Sequence, residues 1–108
     1  MTETVFHVSP RARWLHLGPD EPYTDPSLGT QGFIHCSTAD QLGPTLAAHF
    51  SGIDRAHLVV LEIDPGRLSA PLRWEPAPGA AEGRDQMFPH VYGPIDRVAI
   101  VSSRPAPG

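Results

Sequence analysis

The chain has 108 residues, a usual length for one domain and too short for two ordinary ones. An apolar fraction of 40% against a charged fraction of 19% excludes bulk disorder, and a chain of this length buries roughly 65% of the surface its unfolded form exposes. The formal net charge is −4, lysine is absent and the 8 basic residues are scattered arginines, which excludes an extended nucleic-acid or anionic-membrane surface but leaves a single phosphate within reach of one or two arginines.

The segment Met1–Phe6 carries neither the basic n-region nor the apolar stretch of a secretory signal. The longest uninterrupted apolar run, Leu58–Leu61, falls far short of the roughly 20 residues a membrane span needs. Cys36 is the only cysteine, so no internal disulfide forms. A cytoplasmic protein is expected.

The 13 prolines and 10 glycines predict short elements and long connections. Val5–Val8 reads as a first strand. Ser9-Pro10 supplies an N-cap followed by proline at the first helical position, and a short helix is expected from Pro10 to about Leu17, ended by Gly18-Pro19. Pro19–Gly32 is turn chemistry, long enough to be a lid, and it carries Tyr23, which suits stacking on a flat ligand. Phe33–Cys36 is a second strand. Ser37 and Asp40 form an imperfect capping box for a helix reaching about Phe50, kinked or restarted at Gly43-Pro44. His57–Asp64 is the clearest strand, and its apolar run places it centrally. Leu72–Glu75 is a short strand and Pro76–Gln86 a loop. Prolines and a glycine make Phe88–Pro94 a rigid corner, and Arg97–Val101 is the last strand. The expected domain spans residues 1–103, with Arg104–Gly108 a frayed tail. Strands that follow early helices argue for an α+β fold rather than a doubly wound sheet.

The polar residues show a local echo. His7-Val8-Ser9 and His35-Cys36-Ser37 each run strand, histidine, apolar residue, serine, helix. Because side chains alternate along a strand, His7 and Ser9 leave one face and Phe6 and Val8 the other, and His35 and Ser37 likewise separate from Ile34 and Cys36. Adjacent strands would send both histidines into one cleft; the alternative is that each serine caps its helix and each histidine is a packed core ring. Alternation also turns Cys36 inward, as a buried, inert thiol. In Phe88–Pro94 the stiff backbone presents His90 and Tyr92 in set directions. The strand Leu72–Glu75 carries Arg73 and Glu75 on one face, either beside a ligand or as a surface ion pair. His7, His35 and His90 with Glu75 would make a zinc-like set for metal-dependent hydrolysis, but no two of them stand at a diagnostic ligand spacing, and no metal is expected.

The segments Val5–Val8, Gly32–Thr38, Leu61–Pro65, Leu72–Glu75 and Phe88–Pro94 together resemble the signature of a bacterial family, domain of unknown function 952, over nearly the whole chain. That family's fold is similar to the ADP-ribosyltransferase fold, in which a split sheet holds NAD in a cleft. Within that fold, Gly32–Asp64 resembles the corresponding part of tRNA 2′-phosphotransferases, although Phe6 stands where those enzymes carry an arginine before the first-strand histidine. The resemblance implies a split or strongly bent, mixed but largely antiparallel sheet with two short helices. It also implies NAD or another nucleotide or small molecule as ligand. It makes His7, His35, Glu75 and His90 the catalytic candidates. His7, Ser9, Tyr23, Ser37, Arg73 and Tyr92 become the cofactor-binding candidates. The expected activity is that of a transferase or glycohydrolase; a ligand-binding module that kept the fold without the chemistry is the alternative.

Overall fold

The computed structural model describes residues 3–76 and 86–107. Its central strand is β3, Leu58–Ile63, in which only Glu62 is not buried. β3 pairs antiparallel with β1, Val5–Pro10, on one side and with β6, Ile100–Pro105, on the other. A second antiparallel sheet places β5, Phe88–Val91, between β2, Ile34–His35, and β4, Leu72–Glu75. Among the described residues the two sheets are bridged backbone to backbone at one place, where the Phe6 and Ser37 amides each donate to the other's carbonyl at 2.7 Å. The result is an α+β arrangement of antiparallel sheets with few helices.

Side-chain alternation explains the layers. Val5 on β1 and Leu61 on β3 join Ile34, Cys36 and Val91 of the second sheet in one core cluster. Phe6 and Val8 leave the opposite face of β1 and join Leu42 and Leu46 in a second cluster under a helix. That helix, α3, spans Ala39–His49.

Several expectations about local structure need correction. Ser9 does not cap the first helix: it lies inside β1, fully buried, and its hydroxyl donates to the Pro10 carbonyl at 2.9 Å. The helix itself, α1, is only Arg11–Leu15, with Pro10 at its cap position. Pro19–Gly32 is not all loop, because Asp25 caps a helix α2, Pro26–Gln31, that Gly32 closes at φ 89°. Asp, Pro at the first helical position and a terminal Gly are the ordinary start and stop signals of a helix. The capping box of α3 lies one residue beyond its expected place: Thr38 accepts from the Gln41 amide and the Gln41 side chain accepts from the Thr38 amide. α3 runs unbroken through Gly43-Pro44.

The C-terminal half differs too. Phe88–Val91 is the middle strand of its sheet rather than a corner. Proline is rare in such a strand because it cannot donate to the ladder. The Pro89 carbonyl accepts from the Cys36 amide at 3.0 Å, and a strand residue's N–H and C=O point the same way, so the missing donor faces the short β2 side and not β4. β6 extends through Arg104 to Pro105, and Ala106 is buried, so the expected frayed tail is the end of a strand. The expected loop Pro76–Gln86 lies, over residues 77–85, outside the described residues. No described helix is long and apolar enough to cross a membrane.

Candidate functional site

Where the two sheets diverge from the Phe6–Ser37 bridge, a cavity of about 460 Å³ opens. β1 contributes His7, the end of β2 contributes His35 and Ser37, β5 contributes His90, and α3 closes the far side with Thr45 and His49. The volume is within the ordinary range of small-molecule pockets. The structure thus brings His7, His35, His90 and Ser37 onto one wall system. Ser9, Tyr23, Arg73, Glu75 and Tyr92 are not part of that wall.

His7 and His35 do not reach the cavity as neighbours in one sheet. They stand in different sheets, and His7 holds the backbone of the other: its Nδ1 donates to the His35 carbonyl at 2.5 Å. A carbonyl can only accept, so Nδ1 carries the proton. His7 Nε2 meets the Tyr23 hydroxyl at 2.9 Å. Tyr23 is not a lid residue: it is fully buried, bridged to Ile95 in both directions by backbone hydrogen bonds, and its ring meets the His7 ring edge-on at 5.0 Å. Burial pushes its phenol pKa up.

Behind this pair lies an ion pair that the sequence reading did not single out. Arg13 donates to Asp25 Oδ1 at 2.7 Å, and the same oxygen is 3.7 Å from His7 Nε2. Burial acts to raise the Asp25 carboxyl, but His7 and the backbone and side chain of Ser27 outweigh it and hold the group well below the usual carboxylate range. Arg13 and Asp25 both line the cavity, as do Gln31, Thr45, His49 and Phe88. For Asp25 a signal existed, namely an acid directly before a helix-starting proline; Thr45 and His49 look like ordinary helix residues in the sequence.

The second sheet supplies the other half. His35 and His90 are directly opposed in the β2–β5 register, and their rings meet edge-on at 5.5 Å. His35 Nε2 donates to the Gln31 side-chain carbonyl. Burial, followed by the neighbouring His90 and His7, lowers the His35 pKa. His90 is 1% exposed and stacks on Phe33 with ring centroids 4.0 Å apart. Its Nδ1 lies 2.9 Å from Glu75 Oε1, and the Tyr92 hydroxyl donates to that same oxygen at 2.5 Å. Hydrogen bonds from Tyr92 and then His90 lower the Glu75 pKa. Arg73 lies over the Tyr92 ring, 5.0 Å from its centroid. Glu75, Tyr92 and Arg73 therefore form a layer behind His90.

Two further walls are quiet. Ser37 shares a hydrogen bond of 3.0 Å with Thr45, so two hydroxyls sit side by side at the base of α3. Cys36 is buried, and burial pushes its thiol pKa well up, so it stays protonated. Among the described residues no three His, Cys, Asp or Glu side chains are grouped to hold a metal ion. Imidazoles, paired hydroxyls and the aromatic faces of Phe6, Phe50 and Phe88 make a lining suited to a flat ring bearing hydroxyl groups.

Comparison with known proteins places this architecture. A family model described as "Protein of unknown function (DUF952)" matches residues 8–103. No curated protein matches. Among solved structures, protein CC0527 from Caulobacter crescentus is similar at 28% identity and a TM-score of 0.72, covering 94% of this chain and 84% of that one. A doubly substituted form of the same protein is similar at 27% identity with the same TM-score and coverage.

Proposed function

Starting from the premise that the chain belongs to the DUF952 family, we propose that it binds NAD or a closely related nucleotide in the cavity between its sheets and cleaves or transfers it at the nicotinamide–ribose bond. The observation that carries this reading is the position of the cavity, at the seam where two antiparallel sheets part, walled by histidines from both. A split-sheet cleft is what the resemblance to ADP-ribosyltransferases leads one to expect. The chemistry of the lining agrees with such a ligand. Phe6, Phe50 and Phe88 offer faces for a base or nicotinamide ring, and Ser37 and Thr45 offer hydroxyls to a ribose. Among the described residues of the wall the one arginine, Arg13, is already paired with Asp25, so a phosphate would compete with that carboxylate for it.

The test is thermal unfolding with NAD, ADP-ribose, AMP and nicotinamide, combined with chromatographic detection of free nicotinamide. A ligand at about 100 times its Kd stabilises a folded state by ~2.7 kcal/mol, which for a chain of this size raises Tm by about 10 °C. Shifts of that kind with NAD and ADP-ribose, and nicotinamide release with NAD, are expected. If none of the four moves Tm at saturating concentration, the nucleotide reading is wrong.

A second reading, a binding module without chemistry, is favoured by two specific observations. His7 has both ring nitrogens engaged within the protein, and Glu75 stands behind His90 instead of on the wall. Stabilisation by NAD with no nicotinamide release, in the presence of water and added alcohol acceptors, would select it.

A further inference from the structure

His90 stands apart from His7 and His35, the other two cavity histidines carried by strands; the fourth, His49 on α3, is exposed. His7 donates to a backbone carbonyl and faces Tyr23, and His35 donates to Gln31. His90 has one nitrogen engaged, Nδ1, at 2.9 Å from Glu75 Oε1. The Glu75 carboxylate can only accept, so Nδ1 carries the proton and Nε2 of the neutral ring is a bare lone pair. That Nε2 is buried and has no hydrogen-bond partner among the described residues. A buried polar atom without a partner costs free energy, and His90 is one of the residues that line the cavity, so a ligand donor reaching this ring would satisfy it. The ring cannot easily turn away from this state. Phe33 stacks against it with an interplanar angle of 18°, and it sits on a middle strand between His35 of β2 and Arg73 of β4.

We propose that His90 is the general base of this cavity, held as its Nδ1–H tautomer by Glu75, and that its Nε2 takes the proton of a water or alcohol acceptor. Resting on the nucleotide reading above, the step balances as follows. The ribose C1′–nitrogen bond breaks and nicotinamide leaves with the electron pair. The acceptor oxygen forms the new bond to C1′, and its proton passes to His90 Nε2. The resulting imidazolium faces the Glu75 carboxylate, which is stabilising, while His35 is the neighbouring ring that disfavours it. Glu75 is a positioning residue: it touches His90 and not the cavity. Tyr92 donates to the same Glu75 oxygen and fixes where it points. The charged and titratable groups around the ring are thus His35 from β2, Arg73 and Glu75 from β4, and Tyr92 just beyond β5.

The first measurement needs no ligand: nitrogen-15 spectroscopy of the His90 ring in the wild-type chain and in Glu75→Gln. The proposal expects the Nδ1–H tautomer in the wild type, with Nε2 unprotonated, and a tautomer no longer fixed in Glu75→Gln, whose amide can donate as well as accept. An Nε2–H tautomer in the wild type, or the same single tautomer in both proteins, overturns it. The second measurement is nicotinamide release. His90→Ala is expected to lose about 10²–10⁴-fold in kcat, the usual share of a general base, with partial rescue by added imidazole. Glu75→Gln is expected to lower kcat with little change in KM. Unchanged kcat in His90→Ala overturns the proposal even where NAD is cleaved. If NAD neither binds nor reacts, the nucleotide reading falls; an Nδ1–H tautomer still supports His90 as the base of this cavity and an Nε2–H tautomer still overturns it.

Discussion

Asp25 shows how much one carboxylate can be asked to do. It caps α2 through the Ser27 amide, pairs with Arg13 and lies beside His7, so it joins a helix start to the wall of the cavity. Its folded-state pKa is depressed, so its contribution to stability is fully present above the unfolded carboxyl value of about 3.9 and is lost as pH falls from there through the folded value. Asn caps a helix about as well as Asp, so Asp25→Asn removes the charge while keeping the cap. At pH 7 this variant is expected to be less stable by about 2 kcal/mol, the scale of a hydrogen bond to a charged group. The deficit should shrink steadily in denaturant titrations run below pH 4, as the wild-type carboxylate itself becomes protonated. A deficit that is the same at pH 7 and at low pH would show that the charge contributes nothing and that only the shape of the side chain matters.

Among the elements, α3 and β5 carry the lessons. In α3 the spacing rule behind a capping box was right and its phase was wrong. Ser37 and Thr38 are both good cap residues, and three residues on stand Asp40 and Gln41. Glu or Gln is the proper closing partner, which selects Thr38, and Ser37 is meanwhile held by the bridge to Phe6. Thr38→Ala is therefore expected to cost about 1 kcal/mol in chemical unfolding, and Ser37→Ala should act instead through the Thr45 contact and the cavity wall. Equal stability of Thr38→Ala and the wild type would contradict the observed cap. β5 was misread for an energetic reason. Pro89 argues against a middle strand, and only the brevity of β2 makes the loss of a ladder donor tolerable there.

For the molecule as a whole, what matters is how two small sheets stay together around an opening. Backbone contact between them is concentrated at Phe6–Ser37, and Tyr23–Ile95 pins the segment that leads into α2. The shared apolar cluster does the rest, burying Val5, Ile34, Leu61 and Val91 together. If the sheets behave as one cooperative unit, the amides of Phe6, Ser37, Tyr23 and Ile95 exchange only on global unfolding, at the same protection as β3. Native-state hydrogen exchange checks this directly. Faster exchange at Phe6 and Ser37 than at Val60 would show that the seam opens locally, and the cavity would then vary in width.

Several features were legible because they are local. The buried strand around Leu58–Ile63 follows from an apolar run. The inward turn of Cys36 and the outward turn of His35 follow from alternation, which is a property of one strand alone. Even α2 was written in Asp25, Pro26 and Gly32, although the density of turn residues obscured it. Alternation does not say which strand lies next to which. The two His-x-Ser echoes sit in separate sheets, and it is the bridge between sheets that lets His7 hold the His35 carbonyl. Tyr23 went to the core because a partner 72 residues away, Ile95, pairs with its backbone. Glu75 met His90 only through the β4–β5 pairing, and Thr45 and His49 met the cavity only through the docking of α3. Register and packing between distant segments depend on many weak contacts summed over the folded chain, so tertiary structure alone left Nε2 of His90 buried without a partner among the described residues.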